Sequence, residues 1–363
     1  MPTLQPALPR PMYVDPAHFD LERERVLFRS WFCVGRLDDL GLDRPERLAV
    51  VDVVGESVLL TSDRAGVLHA AYNVCRHRGS QVVPAQQQPC RMSALRCPYH
   101  SWTYDLDGRL LKAPHTQDVV GFEPEEFALH PVGIGTWGGF VFIHLTPAEA
   151  TELSAELAAF GDRLQRYPLR RLVTGLSFTY DVGANFKVLA ENYNECYHCG
   201  PVHPELTRLV PSFGAGARGL DWEDGIAHRD GAWTFTTSGT TNRRPFPDLD
   251  EHERTRHKGE LVYPNLWLSC AADHVASFVS WPLDTRRTRV RCDLLFEPEA
   301  VAAPDFDPRD AGDLWDLVNG QDWAVCESVQ RGMSSRAYEQ GWFAPMEDAS
   351  ADIRRWLLPR LDA

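Results

Sequence analysis

The chain has 363 residues, 44% of them hydrophobic and 24% charged, the make-up of an ordinary globular protein rather than a disordered or fibrous one. Its 51 acidic against 37 basic residues give a formal charge of −14, which argues against a surface for nucleic-acid phosphates or anionic membrane lipid. No apolar run approaches the roughly 20 residues that span a bilayer, the first six residues lack a signal-peptide pattern, and nine cysteines in that setting point to thiols and metal ligands in a cytoplasmic protein.

The length suggests two domains. Residues 1–11 are proline-rich and read as loose. Phe19, Leu21, Val26, Leu27 and Trp31 then fall among charges in a helical pattern, so residues 1–40 read as a cap or interface segment. From Ala49 the character changes. Residues 49–55, 57–61 and 67–72 are short β-rich runs between turn residues. They suggest a small all-β domain over 41–145, closed by a strand within 137–145.

That domain carries the first constellation. Cys75-Arg76-His77 is answered, after nineteen intervening residues, by Cys97-Pro98-Tyr99-His100. Two tight loops, eased by Gly79 and Pro98, each offer one thiolate and one imidazole. Two unrelated Cys/His pairs or a structural zinc site share this ligand count. A Rieske [2Fe-2S] cluster, with Cys on one iron and His on the other, fits the spacing better.

Beyond it, Thr146, Pro147 and Glu149 predict a capped helix start, with Leu153, Leu157, Phe160 and Leu164 at helical spacing. A second domain, 146–363, is placed here. Residues 177–182, 233–236, 266–269, 276–281 and 289–296 read as strands, the last two joined by Pro282-Leu283-Asp284. Residues 237–257, polar and carrying Pro245 and Pro247, read as a mobile loop, and 312–336 as a long helix.

The second constellation is residues 190–204. Phe186 and Leu189 mark a helix on which Glu191, Glu195 and His198 share a face, Gly200-Pro201 ends it, and His203 returns five positions after His198. Two imidazoles near a helix end are half of a facial triad, which needs one carboxylate more to hold Fe(II) with open positions. In the late helix Asp322 falls in a stripe with Val318, Val325 and Val329. A carboxylate there needs a neutralising partner, which a metal or a buried Arg would supply. Glu327, elsewhere on that helix, is the reserve candidate.

The Cys-Arg-His-Arg-Gly-Ser and Arg96–Gly108 segments, with Asn185-Phe186-Lys187, residues 191–198, His203-Pro204 and residues 321–332, resemble the α subunits of ring-hydroxylating-type Rieske non-haem iron oxygenases. The resemblance covers about 300 residues and implies an α+β protein. An N-terminal all-β Rieske domain would precede a helix-grip-like catalytic domain with an antiparallel sheet. It implies that Cys75 and Cys97 hold the inner iron, His77 and His100 the outer one, and that His198, His203 and Asp322 hold mononuclear iron. Arg76 and Arg78 would neutralise cluster charge, or be plain surface arginines. Phe186 stands where many members have Trp.

Glu195 falls where members carry an acidic bridge, most often Asp, between the Rieske histidine of one subunit and an iron-binding histidine of the next. That implies a homotrimer, or a multiple of it, with Glu195 and Asn192 as the catalytic candidates. It also implies O₂ as co-substrate and NAD(P)H acting through a flavin/iron-sulfur reductase or ferredoxin. The motif forms resemble the choline, glycine betaine and carnitine oxygenases, which oxidise carbon beside a quaternary or tertiary nitrogen and release N-methyl groups as formaldehyde. A cationic substrate would want aromatic faces, and Trp222, Trp233, Tyr263, Trp267 and Phe278 are the candidates. Hydroxylation of an aromatic or other apolar substrate, or an electron-transfer protein with a non-catalytic second domain, are the competing readings.

Overall fold

The structure is a computed structural model that describes residues 3–84, 89–216 and 220–362. The chain falls into two units, Leu27–Glu156 and Met1–Val26 with Leu157–Ala363. The segment expected as a separate cap, 1–40, is therefore split. Its first part joins the larger unit, where Leu8, Met12, Tyr13 and Val26 are buried in the core and Gln5–Pro9 pairs as a strand with Gln340–Phe343.

The smaller unit is built on a seven-stranded antiparallel sheet and a three-stranded one. Alternation of side chains across the pleat puts Leu48 and Leu59 inside with Trp102 and Tyr104. Val53 pairs with Glu56, and the two residues between them, Val54 and Gly55, both have positive φ, the two-residue hairpin turn that matches strand twist. The expected helix start at Thr146 does not form. The Thr146 hydroxyl donates instead to the Phe28 carbonyl at 3.2 Å, and only a single 3₁₀ turn, Pro147–Glu149, follows. Short helices over Leu153–Glu156 and Ala158–Arg163 take the apolar positions.

The larger unit is α+β. In chain order it contains β1 (Val173–Val182), α1 (Phe186–Tyr193), α2 (Cys199–Val202), α3 (Pro204–Leu209) and β2 (Ile226–Ala227). Then come β3 (Arg256–Val262), β4 (Leu266–Cys270), β5 (Val275–Asp284), β6 (Arg287–Phe296), α4 (Arg309–Met333) and α5 (Asp352–Asp362). The six strands form one antiparallel sheet in the order β1-β6-β5-β4-β3-β2. Burial along β4 and the first six residues of β5 is nearly continuous, as expected for strands covered on both faces. The β5–β6 turn is Thr285-Arg286, because Asp284 pairs with Arg287, so Pro282 lies within a strand at a register shift rather than in the connection.

Helix α4, about 37 Å long at 1.5 Å per residue, approaches β1 closely. A Cβ on Gly312 would lie 2.4 Å from Leu176 Cδ2. Residues 233–236 are not a strand: the Trp233 N–H bonds back to the Gly239 carbonyl at 2.8 Å in a tight turn. The segment read as a mobile loop is irregular to His252 but tied down. Phe246 and Leu249 are buried, Arg243 is paired, and β3 begins at Arg256.

Candidate functional site

Six of the eight residues of α1 are buried, and its N-terminus is capped by the Asn185 side chain, which accepts from Lys187 N at 3.1 Å. The helix stops at Tyr193, so the expected continuous face through Glu195 and His198 does not exist. The cause is local. The Glu195 carboxylate accepts from the backbone N–H groups of Tyr197 and of His198, the latter at 3.2 Å, donors that a continuing helix would use. Helix α2 restarts at Cys199, and Pro204 at the first position of α3 breaks the chain again around His203.

Glu191 is drawn away from this cluster. The buried Tyr13 hydroxyl donates to it, and Lys187 beneath it pairs with Glu22 at 2.7 Å. Burial pushes the Glu191 carboxyl up to about 8, despite the Tyr13 hydrogen bond and nearby Lys187.

The breaks in the helix bring two imidazoles onto α4. His203 Nε2 lies 3.0 Å and His198 Nε2 3.2 Å from the same Asp322 oxygen, Oδ1. The rings are 5.2 Å apart at 75°. Each outer nitrogen is held. Glu195 takes Nδ1 of His198, and Gln321 Oε1 lies 2.8 Å from Nδ1 of His203. Outer partners of this kind fix the ring and aim Nε2 inward. Gln321 is itself oriented, donating to Glu205 at 3.2 Å. Asn192 sets its amide 3.3 Å from His198 Nε2. The Cys199 thiol, with ligand nitrogens of both histidines, lies in a group spanning no more than 4.8 Å.

Burial disfavours charge on His198, but the Asp322 and Glu195 carboxylates outweigh it and push the ring up to about 10. Burial likewise works against Asp322, and the two imidazoles hold it below the usual carboxylate range. Two imidazoles and a carboxylate converging with their outer atoms tied back form a donor set that fits mononuclear iron.

Asp322 does sit in the buried stripe of α4, but that stripe runs through Trp315, Val318, Cys326, Gln330 and Met333. Val325 is half-buried and Val329 exposed, so the expected stripe was one position out of phase. Glu327 accepts from Gly183 N at 3.0 Å and is not among the converging groups.

A cavity of about 580 Å³ includes these groups in its wall. Four of the five aromatic candidates line it: Trp222, Tyr263, Trp267 and Phe278. Trp233 does not. Sequence reading missed Trp315, Trp323 and Trp356, whose place on the wall depends on the pitch of α4 and α5. The Trp315 indole donates to His274 Nε2 at 3.0 Å, and His274 Nδ1 lies 3.0 Å from Asp273. Asp273 in turn pairs with Arg243 at 2.8 Å, so a buried charge network holds that ring. Both lining arginines are paired, Arg163 with Glu260 and Arg355 with Asp348 and Asp352. Lining carboxylates (Glu195, Glu260, Asp322, Asp352) outnumber them.

In the smaller unit the two Cys/His loops are one motif used twice. Gly79 N bonds Cys75 O at 3.0 Å and Ser101 N bonds Cys97 O at 3.1 Å, with Gly79 and Ser101 both at positive φ. Cys75 and Cys97 are buried, while His77 and His100 are exposed with ring centroids 4.6 Å apart. His77 stacks on Trp102 at 5.0 Å. The Tyr104 hydroxyl, 3.3 Å from Cys75 Sγ, also accepts from Arg76 N. Thiols inside and imidazoles at the rim suit a [2Fe-2S] centre with its histidine-bound iron outermost. The Arg76 guanidinium bonds the Ala128 carbonyl at 2.9 Å, whereas Arg78 lies exposed over Tyr99.

Two families match the chain: the Rieske [2Fe-2S] domain over residues 30–123 and the ring hydroxylating alpha subunit (catalytic domain) over residues 169–363. Together they imply a Rieske cluster and a mononuclear iron. The glycine betaine monooxygenase oxygenase subunit of Chromohalobacter salexigens is 30% identical, over 98% of this chain and 87% of its own. The carnitine monooxygenase oxygenase subunit of Escherichia coli K12 is also 30% identical, over 94% and 88%. Among solved structures, the quaternary ammonium Rieske monooxygenase CntA in complex with L-carnitine is similar at 26% identity. It covers 98% of this chain and 96% of its own, with a TM-score of 0.73.

Proposed function

We infer the activity from one premise: the chain belongs to the ring-hydroxylating α subunits of the Rieske oxygenases. Our reading is an oxygenase that hydroxylates carbon beside a quaternary or tertiary ammonium nitrogen, the N-hydroxymethyl product then collapsing to amine and formaldehyde. The observation that carries it is the wall of the 580 Å³ cavity, where aromatic faces stand around the converging His198, His203 and Asp322. Aromatic faces attract a cation through their quadrupole, and both lining arginines are already paired with carboxylates, so neither is left free to repel one. The named relatives act on glycine betaine and carnitine, of the same chemical class.

His198, His203 and Asp322 are assigned as the iron ligands, and Cys75, Cys97, His77 and His100 as the cluster ligands. When bound, the cluster supplies electrons and the iron activates O₂. The residues around them orient and shield. Gln321 and Glu205 fix the His203 ring, Glu195 fixes His198 through Nδ1, and Asn192 lies beside the His198 nitrogen that would face the metal. Glu195 is also assigned as the bridge to the exposed cluster histidine of a neighbouring subunit, within the ring of three α subunits that the resemblance to the family implies. Two exposed imidazoles at the rim of the smaller unit suit that role, and electrons would come from a separate partner, an NAD(P)H-dependent flavin/iron-sulfur reductase or ferredoxin. None of the nine cysteines is joined in a disulfide, which suits the cytoplasm. No helix among the described residues is long and apolar enough to cross a membrane.

The test is a panel of methylated amines and aromatic acids given to the reductase-coupled enzyme. Formaldehyde release from trimethylammonium compounds is expected. Hydroxylation of aromatic acids with no release from any methylated amine would overturn the assignment.

A further inference from the structure

The cavity is larger than the substrates of the named relatives need. At about 30 Å³ per molecule of liquid water, 580 Å³ is room for about nineteen waters. Glycine betaine, with about eight non-hydrogen atoms, would fill about a quarter of that space, whereas pockets of about 300–1,000 Å³ bury drug-sized ligands. The remainder has a definite place. Trp315 lies seven residues, two helical turns, before Asp322 on the same face of α4, about 10 Å along the axis. There it stacks on Phe235 at 5.2 Å, and Phe235 meets His257 at 4.4 Å. His257 in turn packs beside Phe213 at 5.3 Å and Trp222 at 6.2 Å. All five residues line the cavity, and all but the half-buried Trp222 are buried.

This aromatic end offers a ligand no free charge. Among the described residues of the lining, the side chains able to carry a positive charge are Arg163, Arg355 and three histidines. Arg163 is spent on both oxygens of Glu260, at 2.5 and 2.7 Å, and Arg355 on Asp348 and Asp352, each at 2.6 Å. His198 and His203 turn to Asp322. Burial, with His228 stacked beside it, holds the His257 imidazole well below its ordinary value and so neutral. The Trp315 indole already donates to His274. The unpaired nitrogens of Trp267 and Trp323 and Nδ1 of His257 are sealed behind the wall. A carboxylate buried here would have no partner, which is costly. A small ion held beside Asp322 would leave the aromatic end without contacts.

We propose that the substrate is an N-methylated amine or ammonium ion with a bulky, uncharged hydrocarbon tail that lies against Phe213, Trp222, Phe235 and Trp315. This rests on the ammonium reading above and departs from the named relatives, since glycine betaine and carnitine are small and carry a carboxylate. Chemistry restricts the pose. The N-methyl carbon must sit at the His198, His203 and Asp322 end, so the nitrogen is one bond away and the tail takes the remaining length of the cavity. The reaction is that of the preceding subsection. One atom of O₂ enters a methyl C–H bond and the other leaves as water, with two electrons from NAD(P)H and two protons. The C–N bond then breaks to give the amine and formaldehyde.

Calorimetric binding to the iron- and cluster-loaded protein tests this with tetramethylammonium, glycine betaine, L-carnitine and 3-phenylpropyltrimethylammonium. The phenylpropyl ion should bind at least about tenfold more tightly than each of the others, the worth of burying one ring, and release formaldehyde with the highest kcat/KM. In Trp222→Ala, with iron content and cluster absorbance retained, its Kd should rise at least about fivefold while that of tetramethylammonium stays within about twofold. Glycine betaine or carnitine binding as tightly as the phenylpropyl ion overturns the proposal and leaves the ammonium reading standing. So does a phenylpropyl Kd that the substitution does not move. Should the variant lose its iron or cluster, the wild-type ranking decides alone. If no ammonium probe binds and an aromatic acid does, the ammonium reading itself falls and takes this inference with it.

Discussion

Replacing Asp273 by Asn probes the charge network that holds the cavity wall. Asp273 is buried, accepts from Arg243 Nε at 2.8 Å, lies 3.0 Å from His274 Nδ1, and also accepts from the Thr234 hydroxyl. Burial alone would raise its carboxyl. His274 first, then Arg243 and Thr234, outweigh that and bring it from 3.8 to about 2. A depression of that size corresponds to about 2–3 kcal/mol of folded-state stabilisation at neutral pH. Breaking a buried pair costs about 3–5 kcal/mol when the partner charge is stranded. Arg243 keeps Asp310 at 2.7 Å, so the lower figure applies.

At about 2–3 kcal/mol, the thermal midpoint of the larger unit should fall by roughly 4–12 °C, measured by calorimetry at pH 7. The sign with pH is fixed. A depressed carboxyl contributes its full stability above the unfolded value and loses it as pH falls through the folded one. The wild-type advantage should therefore shrink from about pH 4 and vanish below about pH 2. A midpoint shift under about 1 °C, or melting curves that stay parallel across that window, would refute the reasoning. Because His274 then loses its anchor, Trp315 loosens, and KM should rise more than kcat falls.

Glu195→Gln keeps a side chain of the same length on His198 Nδ1 but removes its charge. Both irons should stay bound while turnover drops by about 10–100-fold, the usual effect of an outer partner of a metal ligand; turnover at the wild-type rate would remove the bridge from the account. Glu191→Gln mimics the protonated acid that burial favours. A carboxyl raised from 4.5 to about 8 stabilises the fold below the unfolded value and loses that contribution as pH rises through the folded one. Urea titrations should thus find the variant gaining on the wild type by up to roughly 1.4 kcal/mol per pH unit between about pH 4.5 and 8, and a constant difference would show that Glu191 does not titrate there.

The two Cys/His loops were legible because their chemistry is local, with both ligands of each loop within four residues. The sheet strands 266–269, 276–281 and 289–296 were legible because hydrophobic, β-branched runs have few other uses. What failed depended on tertiary competition. Helix α1 ends at Tyr193 because the Glu195 carboxylate captures two backbone donors, which periodicity cannot register. The phase of the late helix puts Asp322 between the buried Val318 and Cys326, half-buried itself, but the expected stripe runs on through Val325 and Val329, since valine reads as core wherever it falls. Gln321, which completes the site by holding His203, and Tyr13, which draws Glu191 out of it, lie 118 and 178 residues away in sequence. No local pattern marks them.

The central claim is that His198, His203 and Asp322 hold an iron separate from the cluster in the other unit. It is tested most directly by iron analysis and absorption spectroscopy of Asp322→Ala, purified beside the wild type. The account predicts loss of the mononuclear iron with the red-brown cluster spectrum unchanged. Retention of both, with wild-type iron content, would contradict it.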